Sequence, residues 1–213
     1  MDIIDVSFPV RAALVPRDHG FALYAALCRA MPSLHGAEWL GIHPLSGKPR
    51  ELDGGLVPGP RSTLRLRLPV DKLTAVLPLM GTSLDVAGHS LHLDAPTIFP
   101  LVPASSLDAR IVVLKLTEPP TCTSETESRA VLDNEKLAER YHQELTRQAL
   151  ALGVLCAPVL CGRAEIRVHG KRLVGFSVRF PSLSVDESLA LQRQGLGGKR
   201  RMGCGVFRPT RGA

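Results

Sequence analysis

Aromatic residues are scarce in this sequence: six Phe, two Tyr and one Trp, 4% of 213 residues. So few rings argue against recognition dominated by base stacking on a sheet, and the basic stretch 164–180 carries no convincing RNP1 pattern. Long apolar runs are absent as well. None approaches the roughly 18 residues that span a bilayer, and the opening "MDIIDVSFPV" lacks a basic leader. The expectation is a soluble cytoplasmic protein with no membrane partner. Five cysteines (28, 122, 156, 161 and 204) form no CxxC pair, which argues against a zinc knuckle or disulfide framework and for buried free thiols. No metal is expected. A hydrophobic content of 45% excludes global disorder.

What is abundant is positive charge at one end. Residues 1–108 carry 9 basic and 10 acidic side chains, residues 109–162 carry 6 and 7, and residues 163–213 carry 11 and 3. The net charge of +6 therefore arises wholly in the last quarter. A basic surface of that kind attracts phosphates and is the usual electrostatic footprint of nucleic-acid binding. The charges alternate with Val168, Val174, Phe176, Val178 and Phe207, so the region reads as folded rather than as a solvated tail.

Periodicity gives the same order of elements twice. In the first half, "MDIIDVSFPV" is a strand; Asp18 is an N-cap candidate for a helix running to about Met31, with Phe21, Tyr24, Leu27, Cys28 and Met31 at helical spacing. "EWLGIHPLSG" is a strand and turn. "RSTLRLRLPV" alternates, with Leu64, Leu66 and Leu68 on one face and Arg65 and Arg67 on the other. "DKLTAVL" fits a short helix ended by Pro78, and "TSLDVAGHSLHL" a strand with a tight Gly turn. In the second half, "ARIVVLKL" is a strand. A helix from about Asn134 stops at Gly153, and a hairpin turns at His169-Gly170. Ser184 and Glu187 form a capping box for a helix that Gly195 ends, and "CGVFRP" is the last strand. The fold expected is α+β, two tandem ferredoxin-like (βαββαβ) domains at 1–106 and 107–213. The polar stretch "PPTCTSETES" reads as a flexible insertion within the second.

The least ordinary stretch is "GLGGKRRMGCGVFRP", Gly195 to Pro209. It is not a P-loop, since Arg193 and Arg200 stand where a Gly and a Ser or Thr are needed, nor a dinucleotide fingerprint, since Arg200 replaces the third Gly. No nucleotide cofactor is expected. Bare glycine backbone permits positive φ and close approach, and successive N–H groups in such a turn can form an anion site. Its position, a G-x-G…G-x-G turn between the last helix and last strand, is specific. On "LQRQGLGGKRRMGCGVFRP", "VGFSV", "DHGFALYAAL", "LHGAEWLGIHPLSG" and "RLRLP", the chain resembles the CRISPR precursor-RNA processing endoribonucleases of the repeat-associated mysterious protein superfamily, most closely the MYXAN-type branch.

That resemblance implies metal-independent cleavage of CRISPR repeat RNA. A ribose 2′-hydroxyl attacks the adjacent phosphate, leaving a 2′,3′-cyclic phosphate and a 5′-hydroxyl. Such chemistry needs a base, an acid and positive charge at the phosphorane, and histidine suits the proton transfers. The family commonly places the reactive histidine on or just after the first helix, which leaves His35 and His19 of the seven histidines. His35, in the loop after Pro32 and beside Gly36, is preferred; His19 has a capping or packing role as its alternative. Tyr24 is a possible partner, with core packing as its alternative. Lys199, Arg200 and Arg201 lead the candidates for holding RNA, followed by Arg208 and Arg211, with Arg65 and Arg67 as a second contact line. Gly195, Gly197, Gly198, Gly203 and Gly205 are expected to shape the loop. The implied partners are stem-loop repeat RNA, the mature guide RNA kept as product, and other subunits of an RNA-guided interference complex. Two other readings remain: a non-catalytic RNA-binding subunit of that complex, and a ferredoxin-like ligand-binding domain pair, against which the concentrated charge argues.

Overall fold

The computed structural model of the protein describes residues 2–50, 54–116 and 127–210. The elements in order are β1 (Ile3–Arg11), β2 (Val15–Pro16), α1 (Gly20–Ala30), β3 (Gly41–His43), β4 (Lys48–Arg50), β5 (Gly55–Val57), β6 (Thr63–Pro69), β7 (Ser83–Val86), β8 (His89–Leu93), β9 (Thr97–Pro100), β10 (Leu107–Val112), α2 (Glu127–Ala151), β11 (Val159–Val168), β12 (Lys171–Phe180), α3 (Val185–Gln194) and β13 (Arg208–Pro209). The first sheet runs β3-β6-β1-β8-β7, with β9 also paired to β1; the second runs β11-β12-β10-β13. In both, the first strand lies in the middle beside the third, the arrangement of a ferredoxin-like unit. Two tandem units of this α+β kind make up the protein. Among the described residues, no helix is long and apolar enough to cross a membrane.

Local chemistry explains most boundaries. Gly153 (φ 76°) ends α2, and His169 (φ 50°) with Gly170 (φ 75°) turns the β11–β12 hairpin. The Ser184 hydroxyl accepts from Glu187 N at 3.3 Å while the Glu187 carboxylate accepts from Ser184 N at 2.8 Å, a complete capping box. Three expectations are corrected. The stretch "DKLTAVL" forms 3₁₀ turns (Val70–Ala75 and Leu77–Leu79), because Pro78 removes the N–H a continuous α-helix needs. The helix expected from Asn134 begins at Glu127, so the last two residues of "PPTCTSETES" are helical; the rest of that stretch, like Arg211, lies outside the described residues. The N-cap of α1 is His19, not Asp18, whose carboxylate instead accepts the Arg167 N–H of β11 at 2.7 Å.

His19 fastens the start of α1. Its ring is fully buried; Nε2 accepts the Leu45 N–H at 2.9 Å, so the proton sits on Nδ1, which donates to Pro16 O at 2.9 Å. Burial lowers its pKa.

The two sheets meet across an unusually polar seam. Along β1, Ile4, Val6 and Phe8 face the first core, while Asp5 and Ser7 on the opposite face are also buried, 5% and 4% exposed. Asp5 pairs across with Arg67, and Ser7 with Arg65. The Arg67 guanidinium holds Asp5 in a fork, Nε to Oδ1 at 2.8 Å and Nη2 to Oδ2 at 2.9 Å. Its Nη1 donates to Gln192 O in the last turn of α3 at 2.8 Å and to Phe207 O at 2.6 Å. One side chain of the first sheet thus caps a helix and a loop of the second unit. Nearby, Phe21 of α1 stacks at a tilt on His169, centroids 4.5 Å apart.

The glycine loop is pinned to β10 and to itself. Gly205 N donates to Ile111 O at 2.8 Å, Gly198 N to Val113 O at 2.9 Å, and Leu196 N to Gly205 O at 3.2 Å. Gly197 N donates to the Gln148 Oε1 of α2 at 2.9 Å. Gly195, Gly197, Gly203 and Gly205 have φ between 63° and 82°, where a side chain is strained. A Cβ on Gly205 would also strike the Leu196 carbonyl. Gly198 differs: its φ is ordinary and the nearest atom to an added Cβ is 3.9 Å away.

Three outcomes are expected for stability. Gly205→Ala lowers the urea midpoint by the equivalent of more than about 1 kcal/mol, whereas Gly198→Ala changes it by less than about 0.5 kcal/mol. Arg67→Ala costs about 3–5 kcal/mol by stranding a buried carboxylate, and Arg67→Lys does not restore it because an ammonium cannot make the fork. The third outcome concerns pH. His19, and His43 more strongly, have pKa values lowered by burial, so below about 6.5 the unfolded chain takes up protons that the folded chain refuses. The urea midpoint therefore drops between about pH 7 and pH 5. Glu144 and Glu187, held at about 2, contribute only at lower pH. A midpoint that stays flat across that window contradicts two neutral buried rings.

Candidate RNA-processing site

Around Tyr24 the two units bring their candidate residues together. Its ring is 8% exposed on α1, and its hydroxyl accepts the Gly36 N–H at 3.0 Å and donates to Leu34 O at 3.4 Å. Those two bonds grip the residues on either side of His35. His35 closes the 3₁₀ turn Pro32–Leu34, its N–H bonded to Pro32 O at 3.0 Å, and its side chain is exposed. Gly36 at φ 77° allows the sharp exit that follows. Against the other side of Tyr24 lies the glycine loop, with the Arg201 guanidinium 5.5 Å from the ring centroid, a cation–π contact. One aromatic residue therefore ties the His35 loop to the basic loop of the second unit.

Beside this junction opens a cleft of about 680 Å³ whose walls include Glu38 and Leu40 from the first unit, Lys115 after β10, and Lys199, Arg200 and Arg201 from the loop. Lys199 is exposed, in the left-handed region at φ 65°, and starts the 3₁₀ turn Arg200–Met202. The loop's positive charge is presented by these side chains. The expected anion nest of backbone N–H groups is largely used up: the N–H groups of Leu196, Gly197, Gly198, Met202, Gly203, Cys204 and Gly205 all donate within the protein. The first turn of α1 touches the loop so closely that a Cβ on Gly20 would strike the Met202 carbonyl.

Arg200 is turned inward. Its Nη2 donates to Arg193 O at 3.1 Å, its Nε is buried with no hydrogen-bond partner, and burial together with the Arg67 charge lowers its pKa. It packs against Gly41, the guanidinium 3.5 Å from where a Cβ would stand, an ordinary contact distance.

The remaining candidates separate by burial. His19 is enclosed with both nitrogens engaged. Arg67, expected to form a second contact line with Arg65, is 1% exposed and makes four hydrogen bonds, which leaves it no access to RNA. The alternation along β6 holds, but the second unit covers the arginine face. Arg65 is partly exposed, 3.8 Å from Asp5 Oδ2 and 5.9 Å from the Phe99 ring centroid, and with Arg208 lies beyond the His43 end of β3. Sequence reasoning missed Lys115, which stands in a plain strand pattern, and Glu38, whose segment carries part of the family resemblance without singling it out. It also missed the gripping role of the Tyr24 hydroxyl, whose partners are backbone atoms.

Comparison with known proteins bears on what this junction does. The family described as "Cas6 Crispr" matches residues 4–212. The "CRISPR-associated endonuclease Cas6" of Myxococcus xanthus (strain DK1622) is 37% identical over 211 residues, covering 98% of this chain and 82% of its own length. Among solved structures, one described as "CRISPR associated protein Cas6" superposes with a TM-score of 0.63 at 14% identity, covering 98% of this chain and all of its own. The protein of a Cas6-related gene from Pyrococcus furiosus gives 0.65 at 10% identity, covering 99% of this chain and 100% of its own. These two likenesses concern the fold. With a family match over nearly its whole length and a relative of that identity, the chain belongs to the Cas6 family of CRISPR proteins.

Proposed function

We propose that this protein is an endoribonuclease that cuts CRISPR repeat RNA within the precursor transcript, without a metal ion, at the junction of the His35 loop and the glycine loop. The observation that carries the proposal is the Tyr24 bridge: one ring fixes the loop of the exposed His35 and stacks under a cation of the opposite unit. In this reading the His35 imidazole takes the proton from the 2′-hydroxyl, whose oxygen attacks the neighbouring phosphorus. The P–O5′ bond breaks, the leaving 5′ oxygen takes a proton from water while the His35 imidazolium returns its own to solvent, and the products are a 2′,3′-cyclic phosphate and a 5′-hydroxyl. Lys199 and Arg201 stabilise the charge on the phosphorane. Tyr24 positions rather than reacts, since its hydroxyl is committed to Leu34 and Gly36. His19, with no free nitrogen and no exposure, serves the fold. The concentrated cations keep the cleaved stem-loop bound, so the product stays as guide RNA for an interference complex built with other subunits.

The test uses purified protein, repeat RNA and EDTA. Cleavage proceeds, and a single 2′-deoxy substitution at the cut nucleotide abolishes it. His35→Ala slows single-turnover cleavage by about 10²–10⁴-fold with little change in RNA affinity, as loss of a general base does. Tyr24→Phe keeps the ring under Arg201 but frees the loop, lowering the cleavage rate more than the affinity. Arg201→Ala lowers both. A dependence on magnesium, or full activity in His35→Ala, overturns the mechanism. Tight RNA binding with no cleavage at any position selects the non-catalytic subunit instead.

A further inference from the structure

We propose that a second, separate pocket at the far end of β3 holds a backbone phosphate of the RNA at a nucleotide other than the one cut. This inference rests on the RNA-binding reading above and names a contact that reading does not contain.

The pocket has a volume of about 280 Å³ and is lined by His43, Ser46, Arg61, Thr63, Arg65 and Arg208, together with two prolines. None of these residues lines the first cleft. Leu40 borders the cleft and His43 the pocket, three residues apart along the chain, a distance of about 10 Å. One RNA strand is long enough to reach both openings.

Charge points to an anion. Four guanidiniums, those of Arg67, Arg65, Arg208 and Arg200, act on the buried His43 ring and add to the lowering of its pKa that burial begins. The Asp5 carboxylate beneath them is already committed to Arg67 in a fork, with Arg65 and His43 each 3.8 Å away. Arg61 is exposed and has no acidic partner among the described residues. The described residues lining the pocket include no carboxylate. Arg61 and Arg65 bring like charges to one opening, a repulsion that a phosphate there relieves. His43 forms the inner wall, its side chain 5% exposed and its unpaired Nε2 3.8 Å from Asp5 Oδ1.

Besides His43, the pocket's polar groups are guanidiniums and the Ser46 and Thr63 hydroxyls, donors suited to phosphate oxygens. A free nucleotide has no base platform here, because the lining residues include no aromatic ring apart from His43. The RNA backbone is the occupant that the geometry favours.

Binding is measured by fluorescence anisotropy with full-length protein and repeat RNA carrying a 2′-deoxy residue at the cut site, between about 50 and 200 mM salt. Arg61→Ala weakens binding and makes the slope of log K against log salt shallower by about 0.7–0.9, and Arg61→Lys restores it. Methylphosphonate substitution along the RNA then finds one phosphate whose neutralisation weakens the wild type but not Arg61→Ala. Arg61 is exposed, so a thermal melt verifies that the variant is folded. An unchanged salt slope, or neutral phosphates that affect wild type and variant equally, overturns the pocket while leaving the RNA reading intact. Competition by inorganic phosphate at concentrations that leave RNA binding in place assigns the site to a free anion and overturns the proposal. Failure of the wild type to bind repeat RNA at all removes the RNA reading, and the pocket falls with it.

Discussion

The fork between Arg67 and Asp5 is the constraint on which the rest of the molecule depends. Burying one ion pair rarely adds stability by itself, because desolvation offsets the Coulomb attraction. Its value here is geometric. A guanidinium has more donors than one carboxylate can use, and Arg67 spends the remainder on Gln192 O and Phe207 O, the two ends of the segment that carries the glycine loop. The first sheet thereby holds both ends of the loop that the first helix must face. Neither sheet could place its half of the site alone.

Charge is distributed around that fork in a graded way. Row by row across the first sheet, Gly41, Arg67, Asp5 and Phe99 lie opposite one another, and beside them His43, Arg65, Ser7 and Thr97. A single carboxylate serves this field. Arg200 lies against Gly41 next to Arg67, a placement that burial and like charge both disfavour. Burial and like charge thus both weigh on the seam that joins the two sheets, and the Arg67–Asp5 fork is what holds it together.

Much of this is legible in the sequence, and the reasons differ by element. Turns and caps read well because they depend on neighbours in the chain: His169-Gly170, Gly153, and Ser184 with Glu187 all behave as their local chemistry dictates. Alternation in "RLRLP" distinguishes the two faces of β6 but not their fates. A face of Arg and Asp looks solvent-bound until a second sheet covers it, and nothing within β1 or β6 announces the cover. For the same reason Arg67 reads as an RNA contact and Asp5 carries no signal at all. The glycine loop is legible as a shape, since four of its five glycines do occupy positive φ. Its hydrogen bonding is not, because the partners Ile111 and Val113 sit more than eighty residues upstream.

The candidate site shows the same division. His35 stands out by being close to the end of a helix, and that proximity is local. The feature that makes it a candidate in three dimensions is Tyr24, whose apolar spacing in α1 identifies it as core. Both descriptions hold: the ring packs, and the hydroxyl at its tip grips the loop while the face receives Arg201. A residue with an apolar body and one polar tip can serve a core and a site at once. In a chain with two tyrosines, one of them stands where the two units meet. The other makes a parallel tie, its Tyr141 hydroxyl on α2 donating to Val174 O of β12 at 2.7 Å and so joining a helix to its sheet. Tyrosine is used sparingly here, in both cases to bind one element to another through its hydroxyl, and only at Tyr24 does that tie join the loop of the exposed His35 to a positive charge held by the opposite unit.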